Sequence, residues 1–435
     1  MLLVLDLHKR YGAVVKIAPG ILSFSHSNAV TDLMGHRKGG APEHAKDPTQ
    51  QHSNQRNIIG ANHVDHSRMR RAMALGFSNK SMLDQQPIIM KYVDLLFKRL
   101  RAENVDGTRS LDMSRWYNYA TIDIIGDLAF GESFGCLEES TYHPWVELIF
   151  SSLKASSYMR TLRRLGPLAV FLKPVLFPKD LGVKYREHHQ LSEAKVRRRL
   201  ELEFDRPDFI TSLTAKATEQ GIRLDFDELT SNASVLIVAG SETTATLLTA
   251  VTYYLAINPG TLAVLSREVR NQYASDDEID LVNVQKLSYL RAVLDEAMRL
   301  FPPIPSTQSR VIAAGGDEIA GYFVPEGTVV DIWQWSIYHD PANFSQPEDF
   351  VPERWLGDAR FAKDKRETFH PFSAGPRNCI GRDLAYFEIR LILARLVSNY
   401  DIRLSRESEG WDKKSKVYIL WEKGPMRVNL IPRKA

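Results

Sequence analysis

Phe372-Ser-Ala-Gly375-Pro-Arg377-Asn-Cys379-Ile-Gly381-Arg382 decides how the rest of this 435-residue chain is read. It holds one of only two cysteines, set between two glycines and directly ahead of a strong helix pattern at about Gly381–Tyr400. Glycine lets a backbone turn sharply and lets a large flat partner come close. A sulfur at a helix N-terminus faces unpaired N–H groups and the positive end of the dipole, and both favour the thiolate. A lone cysteine taken by itself reads as a buried, inert small hydrophobe. The company of Phe372, Gly375, Arg377 and Gly381 overturns that reading.

Composition sets the outer bounds. With 44% hydrophobic and 25% charged residues, the chain has the apolar content a packed core needs, which excludes a disordered protein. Gly (25) and Pro (21) are too few for a collagen-like or low-complexity chain. Two cysteines, Cys136 and Cys379, exclude a disulfide scaffold and a Cys-rich zinc module. The balance of 56 basic against 53 acidic side chains is too even to argue for a nucleic-acid partner. No run reaches the ~18 uninterrupted apolar residues that suggest a spanning helix. Met1–Asp6 is too short for a signal-peptide core.

No internal repeat and no long linker divides the chain, so residues 1–435 are expected to form a single domain. Val14–Ile17 and Ile21–Phe24, with Pro19-Gly20 between them, predict a small hairpin. Apolar residues at three- and four-residue spacing predict helices over Pro87–Leu100, Tyr117–Phe130, Leu229–Ile257, Leu262–Tyr273 and Leu290–Leu300. Pro302, Pro303 and Pro305 stop the last of these. Strands and turns follow at Ile319–Ile332, with strand-like runs near Val417–Trp421 and Val428–Ile431. The fold class is mainly α with a minor, dispersed β component.

Three more clusters carry possible chemistry. Glu296-Ala-Met-Arg299 places an acid and a base on one helical face, which alone reads as a surface ion pair. Ala239-Gly240-Ser241-Glu242-Thr243-Thr244 puts an acid and alcohols inside the longest apolar helix, where a threonine hydroxyl tends to bond back to a carbonyl. His66-Ser-Arg68-Met-Arg70 opens the helical region. Gly131-Glu-Ser133-Phe-Gly135 matches a hydrolase nucleophile elbow in form, but a helix pattern precedes it where that motif needs a strand. Zinc is disfavoured, since no H-E-x-x-H exists and the cysteines lie far apart. The sequons at Asn79, Asn232 and Asn343 read as accidental, Asn232 because it falls in the long apolar helix.

Phe372, Gly375, Arg377, Cys379 and Gly381 match every position of F-x-x-G-x-R-x-C-x-G, and on that motif the chain resembles the cytochrome P-450 superfamily of haem-thiolate monooxygenases. The other clusters occur in the family's order, so the resemblance runs from about Leu7 to Pro432. It implies a triangular, helix-rich prism around haem, with small β-sheets. By the same resemblance, Cys379 is the axial thiolate of haem b (iron protoporphyrin IX) and Phe372 and Gly381 lie against it. His66, Arg70, Arg377 and Arg310 are expected to hold the propionates, while Arg68 and Arg71 are solvated. Glu296 and Arg299, joined by Arg354 of Pro352-Glu-Arg354-Trp355, form a buried network that positions the Cys loop. Gly240 leaves room for dioxygen, and Glu242 and Thr243 organise the water that protonates it.

The implied reaction puts one atom of O2 into a lipophilic small molecule, by hydroxylation or epoxidation. No G-x-G-x-x-G follows a strand, so electrons are expected from an NADPH-cytochrome P-450 reductase docked near Arg377 and Arg382. The substrate pocket is expected from Glu43–Ile59, Ser156–Pro178, Ser234–Ala239 and Ile304–Gln308, and the apolar, basic stretch Met159–Leu181 suits either a membrane surface or core packing. Leu7–Lys16 resembles the segment that follows a membrane anchor and hinge; both are absent from this sequence, so a truncated or shortened form is expected. The sequence style resembles microsomal enzymes of filamentous fungi, which implies the endoplasmic-reticulum membrane and secondary metabolism. The alternatives are a haem-thiolate isomerase or dehydratase that needs no reductase, and an inactive haem-binding relic.

Overall fold

The computed structural model describes residues 1–37, 41–50, 56–104, 106–164, 166, 181–202 and 206–433. Their main helices are α1 (Leu2–Tyr11), α2 (Ala29–Met34), α3 (His63–Ala74), α4 (Asn79–Glu103), α5 (Met113–Phe130) and α6 (Pro144–Arg164). Further along come α7 (Leu181–Glu201), α8 (Phe226–Ile257), α9 (Pro259–Gln272), α10 (Ser288–Leu300) and α11 (Arg382–Asn399). Strands are short: β1 (Val14–Ala18), β2 (Ile21–Phe24), β3 (Ala45–Lys46), β4 (Ser110–Asp112), β5 (Arg310–Val311) and β6 (Asp317–Ile319) precede β7 (Tyr322–Val324) and β8 (Val329–Asp331). β9 (Tyr400–Leu404), β10 (Lys416–Val417), β11 (Trp421–Glu422) and β12 (Arg427–Pro432) complete them.

These strands make four small sheets. One has the order β1-β2-β8-β5-β3 and another β4-β12-β9, while β6-β7 and β10-β11 are hairpins. The first hairpin is the predicted one, with Val14 opposite Phe24. The run near Val417–Trp421 is a tight hairpin rather than one strand, pairing Val417 with Trp421. Helix α4 starts eight residues before the predicted Pro87, because Ser78 Oγ accepts from the Ser81 N–H and caps it there.

The core is built on α8 and α5, which pack along each other. Asp225 and Glu228 form a capping box that fixes the start of α8. Every residue of α5 except Arg115 is buried. The glycine at 240 permits the contact: a Cβ there would sit 2.7 Å from Ile125 Cδ1. Helix α8 is apolar and long enough to cross a membrane, but 72% of its most apolar window is buried inside the protein. Its apolarity therefore serves the core. A smaller apolar cluster, with Phe24, Leu33, Ile319, Val330 and Phe344, joins the five-stranded sheet to α2.

Candidate active site

Residues 372–381 fold into a loop closed by the Cys379 N–H, which donates to the Phe372 carbonyl at 2.8 Å. Gly375 takes φ +69° inside it, and a Cβ there would strike the Met34 carbonyl at 1.9 Å. Its close partner is thus the C-terminal end of α2, and only glycine fits. Gly381 differs: its φ is −88° and a Cβ would touch only Phe77, at 3.6 Å. Neither backbone nor protein packing requires a glycine at 381. Cys379 itself is exposed, yet burial among protein atoms pushes its thiol pKa up. The side chain is thus open to a probe yet crowded by protein atoms, as in a recess.

Helix α8 has an open side as well. Ala233, Leu236, Ile237, Ser241, Glu242 and Thr244 are buried, while Ser234, Val235, Val238, Gly240 and Thr243 are partly open and Ala239 is exposed. An open stripe midway along a core helix lines an internal space. Thr243 stands on it, its Oγ1 bonded back to the Ala239 carbonyl at 2.5 Å as its residue type predicts.

Cations crowd beside the Cys loop. Arg377 donates from Nε and Nη2 to Glu43 Oε1 at 2.8 and 2.6 Å, and its buried Nη1 has no partner. Burial works against the charge on Glu43, but Arg377 and His63 outweigh it and hold the carboxyl below its ordinary value. Around this one carboxylate, burial and then Arg310 and Arg377 drive Lys46 down to about 7. Burial and then Arg377 drive buried His66 down to about 4 and Arg310 down to about 10. So many depressed bases, with one guanidinium N–H unsatisfied, mark a place built for added negative charge.

The family model for cytochrome P450 matches residues 2–430. The chain belongs to the cytochrome P450 family. It is 52% identical over 430 residues to the trichothecene C-15 hydroxylase of Fusarium sporotrichioides, covering 99% of this chain and 87% of that protein. It is 44% identical over 434 residues to the averantin hydroxylase of Dothistroma septosporum, covering 98% and 81%. The cytochrome P450 monooxygenase tpeC of Talaromyces stipitatus is 46% identical over 438 residues, covering 98% and 84%.

This P450 is therefore a haem monooxygenase: haem b on a cysteine thiolate, O2, a small-molecule substrate and a redox partner belong to its family. The residues present fit that cofactor. The open thiol matches the iron, the free edge of Gly381 matches a flat ring, and the underpaired cations match two propionates. The raised Cys379 pKa departs from the helix-dipole expectation, because desolvation outweighs the helix N-terminus and the nearby Arg70 and Arg382 together. A coordinated metal deprotonates a thiol outright, and so removes the conflict.

The structure brings Glu296, Arg299 and Arg354 together, all at 0% side-chain exposure. Glu296 accepts from Arg299 Nε at 3.0 Å and Nη2 at 2.9 Å, Arg354 Nε at 3.0 Å, Trp355 Nε1 at 2.9 Å and the Val351 N–H at 3.0 Å. Arg299 also donates to the Tyr338 carbonyl, and Tyr338 Oη accepts from the His370 N–H. Trp355 packs on Phe369, with ring centroids 4.6 Å apart. The network thus ends two residues short of Phe372, where the Cys loop begins.

Other expectations are corrected. The direction in which a side chain would leave Gly240 is filled by Ile125, so its smallness serves helix packing. Glu242 is buried and pairs with Lys423, whose Nζ also donates to Thr246 at 2.8 Å, and Glu242 Oε2 has no partner among the described residues. Glu242 also lines a cavity of about 350 Å³, together with Arg115, Tyr142 and Tyr418. Arg70 points at the Cys loop, donating to the Asn378 carbonyl at 2.7 Å and to Asn378 Oδ1. Arg377 is turned inward at 9% exposure, so it is no part of a docking face, whereas Arg382 is exposed and pairs with Asp383 at 2.9 Å. Arg68 is not a free surface charge; it clamps Glu228 at the start of α8.

Cys136 is buried and pushed up to about 12 by burial, which fits the inert reading. Asn232 and Asn343 are buried too. Of the expected pocket, residues 51–55, 165 and 167–178, including Leu168, Val170, Phe171 and Leu172, lie outside the described residues. Lys423 went unnoticed in the sequence, and Glu43 and Lys46 stood there only within an expected pocket stretch, because none belongs to a motif; the fold sets Glu43 on Arg377 and Lys423 on Glu242.

Proposed function

We propose that this P450 is a fungal secondary-metabolism enzyme, a single domain of 435 residues that hydroxylates or epoxidises a lipophilic small molecule. The observation that carries the reading is the open yet desolvated Cys379 thiol just ahead of α11, together with the open side of α8 that bears Thr243. Hydroxylation is the activity in the names of two relatives, and a stripe of Val235, Val238 and Ala239 suits an apolar guest. Electrons would come from NADPH-cytochrome P-450 reductase on the cytosolic face of the endoplasmic reticulum, with exposed Arg382 near the contact.

Haem b would be held by Cys379, with Phe372 and Gly381 against its face. His66, Arg310, Lys46 and the free Nη1 of Arg377 would meet the propionates, while Arg70 braces the Cys loop. When bound, the haem supplies the reductive activation of O2 and the transfer of one oxygen atom. The chain's own residues do the rest. The apolar stripe excludes bulk water and orients the substrate. Thr243 Oγ–H, relayed through solvent, would hand a proton to the oxygen site and recover one from the Glu242 side. Glu242 would pass that proton on from the cavity it borders, held in place by Lys423. The Glu296–Arg299–Arg354 network keeps the loop in register and takes no part in chemistry.

The test is a reconstituted assay with reductase. Loaded protein should show the thiolate-type carbonyl band and consume NADPH and O2 with a bound substrate. Cys379→Ser should lose the band. Thr243→Ala should keep it while product per NADPH falls. Consumption of neither co-substrate, with the band intact, would move the assignment to a non-oxygenase.

A further inference from the structure

We infer that Ser234 is the polar anchor of the substrate cavity: its hydroxyl is held as a hydrogen-bond donor, by a chain from Trp145 through His188, for an acceptor oxygen on an otherwise lipophilic substrate. The inference rests on reading the open stripe of α8 as the substrate wall. Helix α6 supplies Trp145 and α7 supplies His188, both buried.

An indole N–H can only donate. Trp145 Nε1 lies 2.5 Å from His188 Nδ1, so Nδ1 is the acceptor. In a neutral imidazole the proton is then on Nε2, a tautomer fixed by the partner. Nε2 lies 2.6 Å from Ser234 Oγ and donates to it. Burial drives His188 down to about 4, which keeps the ring neutral at working pH. Ser234 therefore accepts from behind, and its own proton needs a taker. Ser241, Thr243, Thr249 and Thr252 return theirs to the carbonyl four residues back. Among the described residues Ser234 makes no such bond; its one hydrogen bond is to His188.

That hydroxyl stands on the partly open stripe, next to Val235 and one turn from Val238. A single directed donor in an apolar wall selects for an acceptor in the guest. Ser234 and Thr243 are nine residues apart, roughly 13 Å along the helix and about half a turn around it, so the two hydroxyls meet different parts of a guest. The preferred substrate therefore carries a carbonyl, ether or hydroxyl oxygen away from the carbon that is oxidised.

The experiment titrates the haem-loaded enzyme with matched probes, nootkatone against valencene and cedrol against cedrane, and reads the low-to-high-spin shift. One neutral hydrogen bond predicts that the oxygenated member binds about threefold to tenfold more tightly. Ser234→Ala should erase that preference and leave the hydrocarbon within about twofold, whereas Ser234→Thr should restore it. Trp145→Phe frees the tautomer and should shrink the preference, which also carries the test if Ser234→Ala loads poorly. If no oxygenated probe outbinds its hydrocarbon, or if the variants shift both members equally, Ser234 merely satisfies His188 and the inference is overturned. A missing thiolate-type carbonyl band in the wild-type protein would sink the haem reading and this inference together; an intact band with equal affinities sinks this inference alone.

Discussion

Glu296→Gln changes one oxygen for an amide group and removes one charge, at a point where five donors converge. The new NH2 must face donors, since the Arg and Trp groups around it accept nothing. Two fully buried guanidiniums lose their shared carboxylate, and only Arg354 keeps another, Asp364. Breaking a buried pair in this way costs about 3–5 kcal/mol, a large part of the ~5–15 kcal/mol that holds a typical domain together. The exposed pair Arg197–Glu193 serves as control, and Glu193→Ala should cost at most about 0.5 kcal/mol. The assay is urea unfolding followed by tryptophan fluorescence, with haem content measured on the same samples. Glu296→Gln should unfold at clearly lower urea and carry less haem, because Tyr338 and Trp355 link the network to His370 and Phe369 ahead of the Cys loop. If it lost no more than about 1 kcal/mol, matching the surface control, the network would not be holding the loop.

Gly240→Ala should destabilise by about 1–3 kcal/mol through its clash with Ile125, and adding Ile125→Ala should return part of that loss; a null effect of the single change, by thermal unfolding, would refute the packing role. Lys423→Met leaves Glu242 buried without its cation, so product formed per NADPH should fall. An unchanged yield would remove the Glu242–Lys423 pair from the proton path. Lys46 is pushed down to about 7 in the fold, first by burial, against about 10.4 in an unfolded chain. Between those values the unfolded state binds more protons, so the haem-free protein should gain stability as pH rises from about 7 towards 10. The slope stays below the full ~1.4 kcal/mol per pH unit because Lys46 is partly exposed. Loading haem should flatten it by supplying anions, and equal slopes in both forms, read by urea midpoints, would argue that Lys46 faces no propionate.

Local rules carried the helices well. Apolar spacing located α5, α8, α9, α10 and α11 to within a few residues, since each buries a face at its own helical period. They failed where a single side chain decided the outcome, as when Ser78 rather than Pro87 started α4. At the site, the Cys motif and the Glu296–Arg299 pair were legible because their spacing is short and the chemistry lies within one segment. Lys423 beside Glu242, Glu43 on Arg377 and His188 behind Ser234 were not, being 181, 334 and 46 residues away along the chain.

By itself, the order of residues determined which sulfur is distinctive, which helix runs through the core and which acid and base share a helical turn. All of these follow from neighbours within a few positions, where helical geometry fixes who meets whom. Only the tertiary structure decided which way each polar group faces. It turned Arg377 inward, sent Glu242 to Lys423 and Thr243 to the open side of α8, and filled the space beside Gly240 with Ile125. Direction depends on what is packed opposite, and what is packed opposite comes from distant parts of the chain.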